Sequence, residues 1–148
     1  MFESLVNEIL DSGLAVKEDI KYCSNEDITS LRAATGGVLP IVYEQYLLKI
    51  GRGAGKFMQG TDIFYPGIQG LKEEAIELLE ENEEEFKLPV NAFVFSMHQG
   101  YEFLYFLLSG GDDPEIYQYV EGEGAPKKAW DSFTDFLSQS LAQHIQHS

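Results

Sequence analysis

The sequence predicts an α+β fold in one domain of 148 residues, with a central antiparallel β-sheet and flanking helices. Three observations predict it. Apolar residues recur at helical spacing through about the first third of the chain, give way to β-rich runs between residues 92 and 120, and return to helical spacing at the end. The β-rich runs are joined by turn-like connectors, so sequential antiparallel pairing is the simplest topology. Strands do not alternate with long helices, which sets a doubly wound parallel sheet aside.

The elements follow in order. Phe2, Leu5, Val6, Ile9 and Leu10 line one face of a first helix that Gly13 ends. Ser24 and Asp27 form the cap of a second helix, with Ile28 and Leu31 inward and a stop at Gly36-Gly37. Pro40 suits the first turn of a third, whose buried face is Tyr43, Tyr46, Leu47 and Ile50 and whose stop is Gly51. Residues 51–70 read as glycine-rich loops around one or two short strands, Ile63-Phe64-Tyr65 being the best candidate. Leu71, Ala75, Leu78, Leu79 and Asn82 mark a fourth helix ending near Phe86. Ala92 to Ser96, Tyr101 to Leu108 and Glu115 to Val120 are the expected strands, with His98 in the first turn. Ser132 and Asp135 cap the last helix, whose core stripe is Phe133, Phe136, Leu137, Leu141 and Ile145; Trp130, Phe133 and Leu137 are expected to be mostly buried.

Composition narrows the function classes. With 44% hydrophobic residues, ten Phe and eight Tyr, the chain can bury a core without metals or disulfides. Cys23 is its one cysteine, which fits a reducing compartment. No apolar run approaches the roughly 20 residues that span a bilayer, and the first residues lack the basic start of a signal peptide. A cytoplasmic protein is expected. Twenty-five acidic residues against ten basic ones leave a net charge of −15. That field repels nucleic acid and anionic lipid and attracts basic proteins.

Motifs for catalysis are weak. Gly51-Arg52-Gly53-Ala54-Gly55-Lys56 lacks the glycine spacing and the Ser/Thr of a phosphate-binding loop and reads as a flexible connector. His144 and His147 lie three apart near the C-terminal end with no third ligand, and read as a solvated tail. His98 is a candidate base, or it fixes its turn by hydrogen bonding. No catalytic residue, cofactor or metal site is expected. The densest feature is the glutamate run from Glu73 to Glu85, which crowds like charges on neighbouring turns. A second acidic group comprises Asp112, Asp113, Glu115, Glu121 and Glu123.

Several segments in fixed order carry a family resemblance. They are Ser24-Asn25-Glu26-Asp27-Ile28, Leu39-Pro40-Ile41-Val42-Tyr43, Gly51-Arg52-Gly53, Val94 to Phe103, Asp113-Pro114-Glu115-Ile116-Tyr117 and Ser132-Phe133-Thr134-Asp135-Phe136-Leu137. This succession resembles the SUKH superfamily, which includes a fungal regulator of cell-wall glucan synthesis. The resemblance implies an α+β domain and the role of a bacterial immunity protein that binds a cognate toxin, commonly a nuclease. A basic toxin domain as partner fits the charge. The expected contact residues are Glu80, Glu81 and Glu84, or Asp112 and Asp113, for steering, with Tyr65, Tyr101 and His98 beside them. Two rival readings stand: a regulatory scaffold for an endogenous partner, and a hydrolase using His98 with a nearby carboxylate.

Overall fold

The computed structural model describes residues 2–147. Helix α1 (Phe2–Asp11) buries Phe2, Leu5 and Ile9, and a 3-10 turn at Lys17–Asp19 leads into β1 (Ile20–Lys21). Helix α2 (Asn25–Ala34) begins at a capping box. Asp27 N–H donates to Ser24 Oγ at 3.1 Å, and Ser24 N–H donates to Asp27 Oδ2 at 2.9 Å. Helix α3 (Ile41–Ile50) follows Pro40 and ends at Gly51. A Cβ on Gly51 would sit 2.5 Å from the Leu47 carbonyl oxygen and 2.6 Å from Cys23 Sγ, so only glycine lets the chain turn there. That packing leaves Cys23 buried, and desolvation raises its thiol to about 11.

Next come β2 (Gly53–Ala54), β3 (Thr61–Asp62), α4 (Leu71–Glu81), β4 (Ala92–His98), β5 (Glu102–Leu107), β6 (Ile116–Val120), β7 (Lys127–Trp130) and α5 (Phe133–Gln146). Strands β3 to β7 form one sheet in sequence order, every neighbouring pair antiparallel. Strands β1 and β2 pair separately, Ile20 opposite Ala54.

Alternation along β5 assigns the two faces. Phe106, Leu104 and Glu102 point to one side, and with them Phe93, Ser96 and His98 of β4 and Gln118 of β6, their pairing partners directly or along the strand. Helices α3 and α5 cover this face. The Tyr43 ring meets Phe93, Phe95, Phe106 and Phe133 with centroids 5.2 to 6.3 Å apart. Its hydroxyl is buried without a hydrogen-bond partner, and burial pushes its pKa well above the ordinary tyrosine value. Tyr105, Phe103, Tyr117 and Tyr119 point the other way, toward α4 and the segment that follows it. The register shifts between Val94 and Ser96, a bulge that leaves Phe95 without a pairing partner. Phe95 packs on Phe106, Phe133 and Phe136, so it shares a face with its neighbour Ser96.

The α+β class with a central antiparallel sheet stands. Several details differ from the sequence reading. The strand near residue 63 is Thr61–Asp62, because Ile63 is buried outside the ladder and Tyr65 belongs to a turn. Helix α4 stops at Glu81, five residues before Phe86. Glu83 takes a left-handed φ of 54°, and Glu84 N–H reaches back to the Leu79 carbonyl at 3.0 Å. The glycine-rich segment after α3 is not a free connector: β2 pairs there, and Lys56 N–H donates to the Leu14 carbonyl at 2.7 Å. Strand β7 was not anticipated. Trp130 at its end is half-buried, its indole N–H donating to Gln139 Oε1 at 2.8 Å. Phe133 and Leu137 are buried as expected, whereas Ile145, beyond the sheet, is 40% exposed.

Candidate functional site

Helix α4 presents Leu71, Ala75, Leu78 and Leu79 to the sheet, which turns Glu73, Glu74, Glu77, Glu80 and Glu81 outward. Among the described residues, no ion pair involves any of these five carboxylates. The one cation of the helix, Lys72, donates its ammonium to the Val90 carbonyl at 2.7 Å. Like charges three and four apart on one helix repel by a few tenths of a kcal/mol per pair. The ridge is a surface whose electrostatic energy improves when a cationic body approaches.

Glu84 does not belong to that ridge. Its Oε2 accepts from the Tyr119 hydroxyl at 2.6 Å, and Asn82 donates to the same hydroxyl at 3.0 Å. Desolvation first, and then this carboxylate, raise the Tyr119 pKa. Two of the five carboxylates of the second acidic group are also engaged within the fold. Asp113 Oδ1 accepts from Thr134 N–H at 3.1 Å in the first turn of α5. Glu115 lies 3.4 Å from Lys128 Nζ, and the backbone carbonyl of Asp112 accepts from Val42 N–H at 3.1 Å. The Asp112 side chain, Glu121 and Glu123 remain exposed.

The aromatic candidates separate as well. Tyr65 is half-buried under Arg52, whose guanidinium sits 4.8 Å from its ring centroid while binding Asp27 through Nε and a terminal nitrogen, both at 2.9 Å. That pairing holds the Asp27 carboxyl below its ordinary pKa. Tyr65 is thus a packed partner and not an open anchor. Tyr101 is 38% exposed on the β4–β5 hairpin, its ring centroid 6.0 Å from that of His98.

His98 is the last residue of β4 and not part of the turn, which Gln99 and Gly100 make with positive φ of 52° and 77°. Its Nδ1 lies 2.9 Å from Thr61 Oγ1 across the β3–β4 ladder. It lines a cleft of about 270 Å³ between the sheet and α5 with Met58, Thr61, Ser96, Glu102, Leu104, Trp130, Phe136, Ser140, Gln143 and His144. His144 is therefore no solvated tail. Its Nε2 accepts from Met58 N–H at 3.3 Å, its ring lies 5.4 Å from Phe57, and desolvation lowers its pKa. His147 stays exposed. Glu102 Oε1 accepts from Gln118 Nε2 at 2.8 Å. No hydrogen bond joins Glu102 or Ser96 to either imidazole, so no relay of nucleophile, base and orienting acid is assembled.

Sequence reasoning missed the cleft as a unit because Thr61, Ser96, Trp130 and His144 come from four separated segments. A larger cavity of about 530 Å³ lies elsewhere, bounded by Leu31, Ala34, Val90 and Phe93, with Glu73 from the start of the glutamate run at its wall and none of the eight expected contact residues. Among the described residues, no helix is long and apolar enough to cross a membrane, and no group of three or more His, Cys, Asp or Glu side chains is placed to hold a metal ion.

The sequence profile described as SMI1-KNR4 cell-wall, a SUKH family, matches residues 25–137, from the first residue of α2 into α5. No curated protein matches the chain.

Proposed function

The chain belongs to the SMI1-KNR4 cell-wall family, and on that premise we propose that it is a non-catalytic binding protein of the immunity type, which occludes a basic toxin domain such as a nuclease. The observation that carries this reading is the α4 ridge, five outward carboxylates with no ion-pair partner among the described residues, in a chain of net charge −15. A nuclease must be basic to hold phosphates, so its nucleic-acid face and this ridge are complementary. Of the two acidic groups, the α4 ridge is the better interface, because Asp113 and Glu115 of the other already have partners within the fold. The proposed site of action is the cytoplasm.

The test is a pull-down from the native host with the full chain, identification of the bound protein, and assay of its activity with increasing chain. The expected result is a bound domain of high pI whose nucleic-acid cleavage falls to background at saturation. A bound protein of acidic or neutral surface, or a bound nuclease that stays fully active, rules the reading out.

A further inference from the structure

We infer that the cleft between the sheet and α5 is a receptor for a single arginine side chain of the partner. The inference rests on the basic-partner reading and adds where the partner's anchoring residue goes.

Among the described residues, Ser96 and Ser140 are the buried polar residues that are neither aromatic nor glycine, and both line this cleft. Buried hydroxyls are rare in a core unless they have something to bind. Around them stand Glu102, half-buried, with one oxygen held by Gln118 and its Oε2 open, and the Gln143 amide. His98 contributes an acceptor at Nε2 in the tautomer whose Nδ1–H donates to Thr61. His144 accepts a backbone N–H, which fixes it as a neutral imidazole. The wall therefore holds no fixed cation, one carboxylate and several neutral acceptors.

Trp130, Phe136, Met58 and Leu104 complete it with apolar surface. A planar cation with several donors fits that combination. Guanidinium donates through a rigid fork to a carboxylate and hydroxyls while lying against an indole, and it is more weakly hydrated than ammonium. The volume of about 270 Å³ is just under the range of pockets for drug-sized ligands, and suits one side-chain head. Arg52 and Arg32, which could otherwise compete from within the chain, are held by Asp27 and Glu44.

The probe is N-acetylarginine amide, titrated into the full chain and followed by NMR at the Trp130 indole and the His98 and His144 ring signals. The controls are N-acetylcitrulline amide, which keeps the shape and loses the charge, and N-acetyllysine amide. The arginine probe should shift these signals saturably and bind at least tenfold tighter than citrulline. Glu102→Gln should remove that preference. Gln143→Arg, at an exposed helix position, should block the cleft with a tethered guanidinium and abolish binding. Equal binding of citrulline, shifts confined to α4, or binding unchanged by both variants overturns the inference. A partner whose association stays salt-sensitive but whose dissociation ignores Glu102→Gln overturns the cleft and leaves the basic-partner reading standing. A partner that lacks exposed basic residues overturns the basic-partner reading and, with it, a partner arginine as the occupant, even where the free probe binds.

Discussion

The acidic residues of α4 and those between residues 112 and 123 look alike in the sequence and differ in what they touch. On α4 the helix period places the apolar residues against the sheet, and the carboxylates that remain are exposed and, among the described residues, outside any ion pair. Between β5 and β7 the chain turns at the end of the sheet, close to the start of α5 and to Lys128, so Asp113 and Glu115 find donors. The same residue type builds the fold in one place and is left available in the other. What separates them is local geometry, a regular helix face against a crowded corner.

The comparison can be broken by experiment. The largest effect is expected from Glu77→Lys, Glu80→Lys and Glu81→Lys combined. Association with the basic partner should slow by about 10- to 100-fold at low salt, within the range of electrostatic steering, with little change in dissociation and no loss of folding stability. Stopped-flow rates and thermal melts check both halves; a rate indifferent to salt and to these changes would reduce the ridge to a solubility device. Glu84→Ala should instead cost stability, about 1–3 kcal/mol, because the Tyr119 hydroxyl loses its acceptor. Its association rate should change much less than that of the triple variant. If Glu84→Ala melts like the parent, Glu84 belongs with the ridge after all.

Asp113→Ala should cost about 1 kcal/mol through the lost acceptor at the start of α5, read by urea unfolding at unchanged m-value. The smallest effect is expected for Glu121→Gln with Glu123→Gln. Stability should stay within about 0.5 kcal/mol and association within roughly twofold. A larger loss of association would move the interface to this corner.

Much of the fold was legible because it depends on period and punctuation. The caps at Ser24 and Ser132 and the stop at Gly51 are local chemistry, and each is where the sequence places it. The strands that were missed, β1 and β7, have two and four residues and no buried one among them, so no apolar alternation announces them. The end of α4 was misjudged because Phe86 continues the apolar pattern beyond the point where Glu83 leaves helical φ. The candidate contact residues were legible only as types. Exposure separated Tyr101 from Tyr65, and pairing separated Glu80 and Glu81 from Glu84, and both depend on contacts far along the chain. The cleft around His98 was invisible for the same reason, although the buried Ser96 beside His98 was a signal available in the strand itself.

The bulge at Phe95 has a consequence for parity. A regular strand would send residues 93, 95 and 97 to one side and 94, 96 and 98 to the other. The extra residue reverses the count, so Phe93 and His98, an odd and an even position, look the same way. Were Phe95 paired regularly instead, with the sequence unchanged, the second half of the strand would invert, turning Met97 toward the cleft and His98 to the opposite face. One unpaired phenylalanine decides which side chains of the second half of β4 face the cleft and which face away from it.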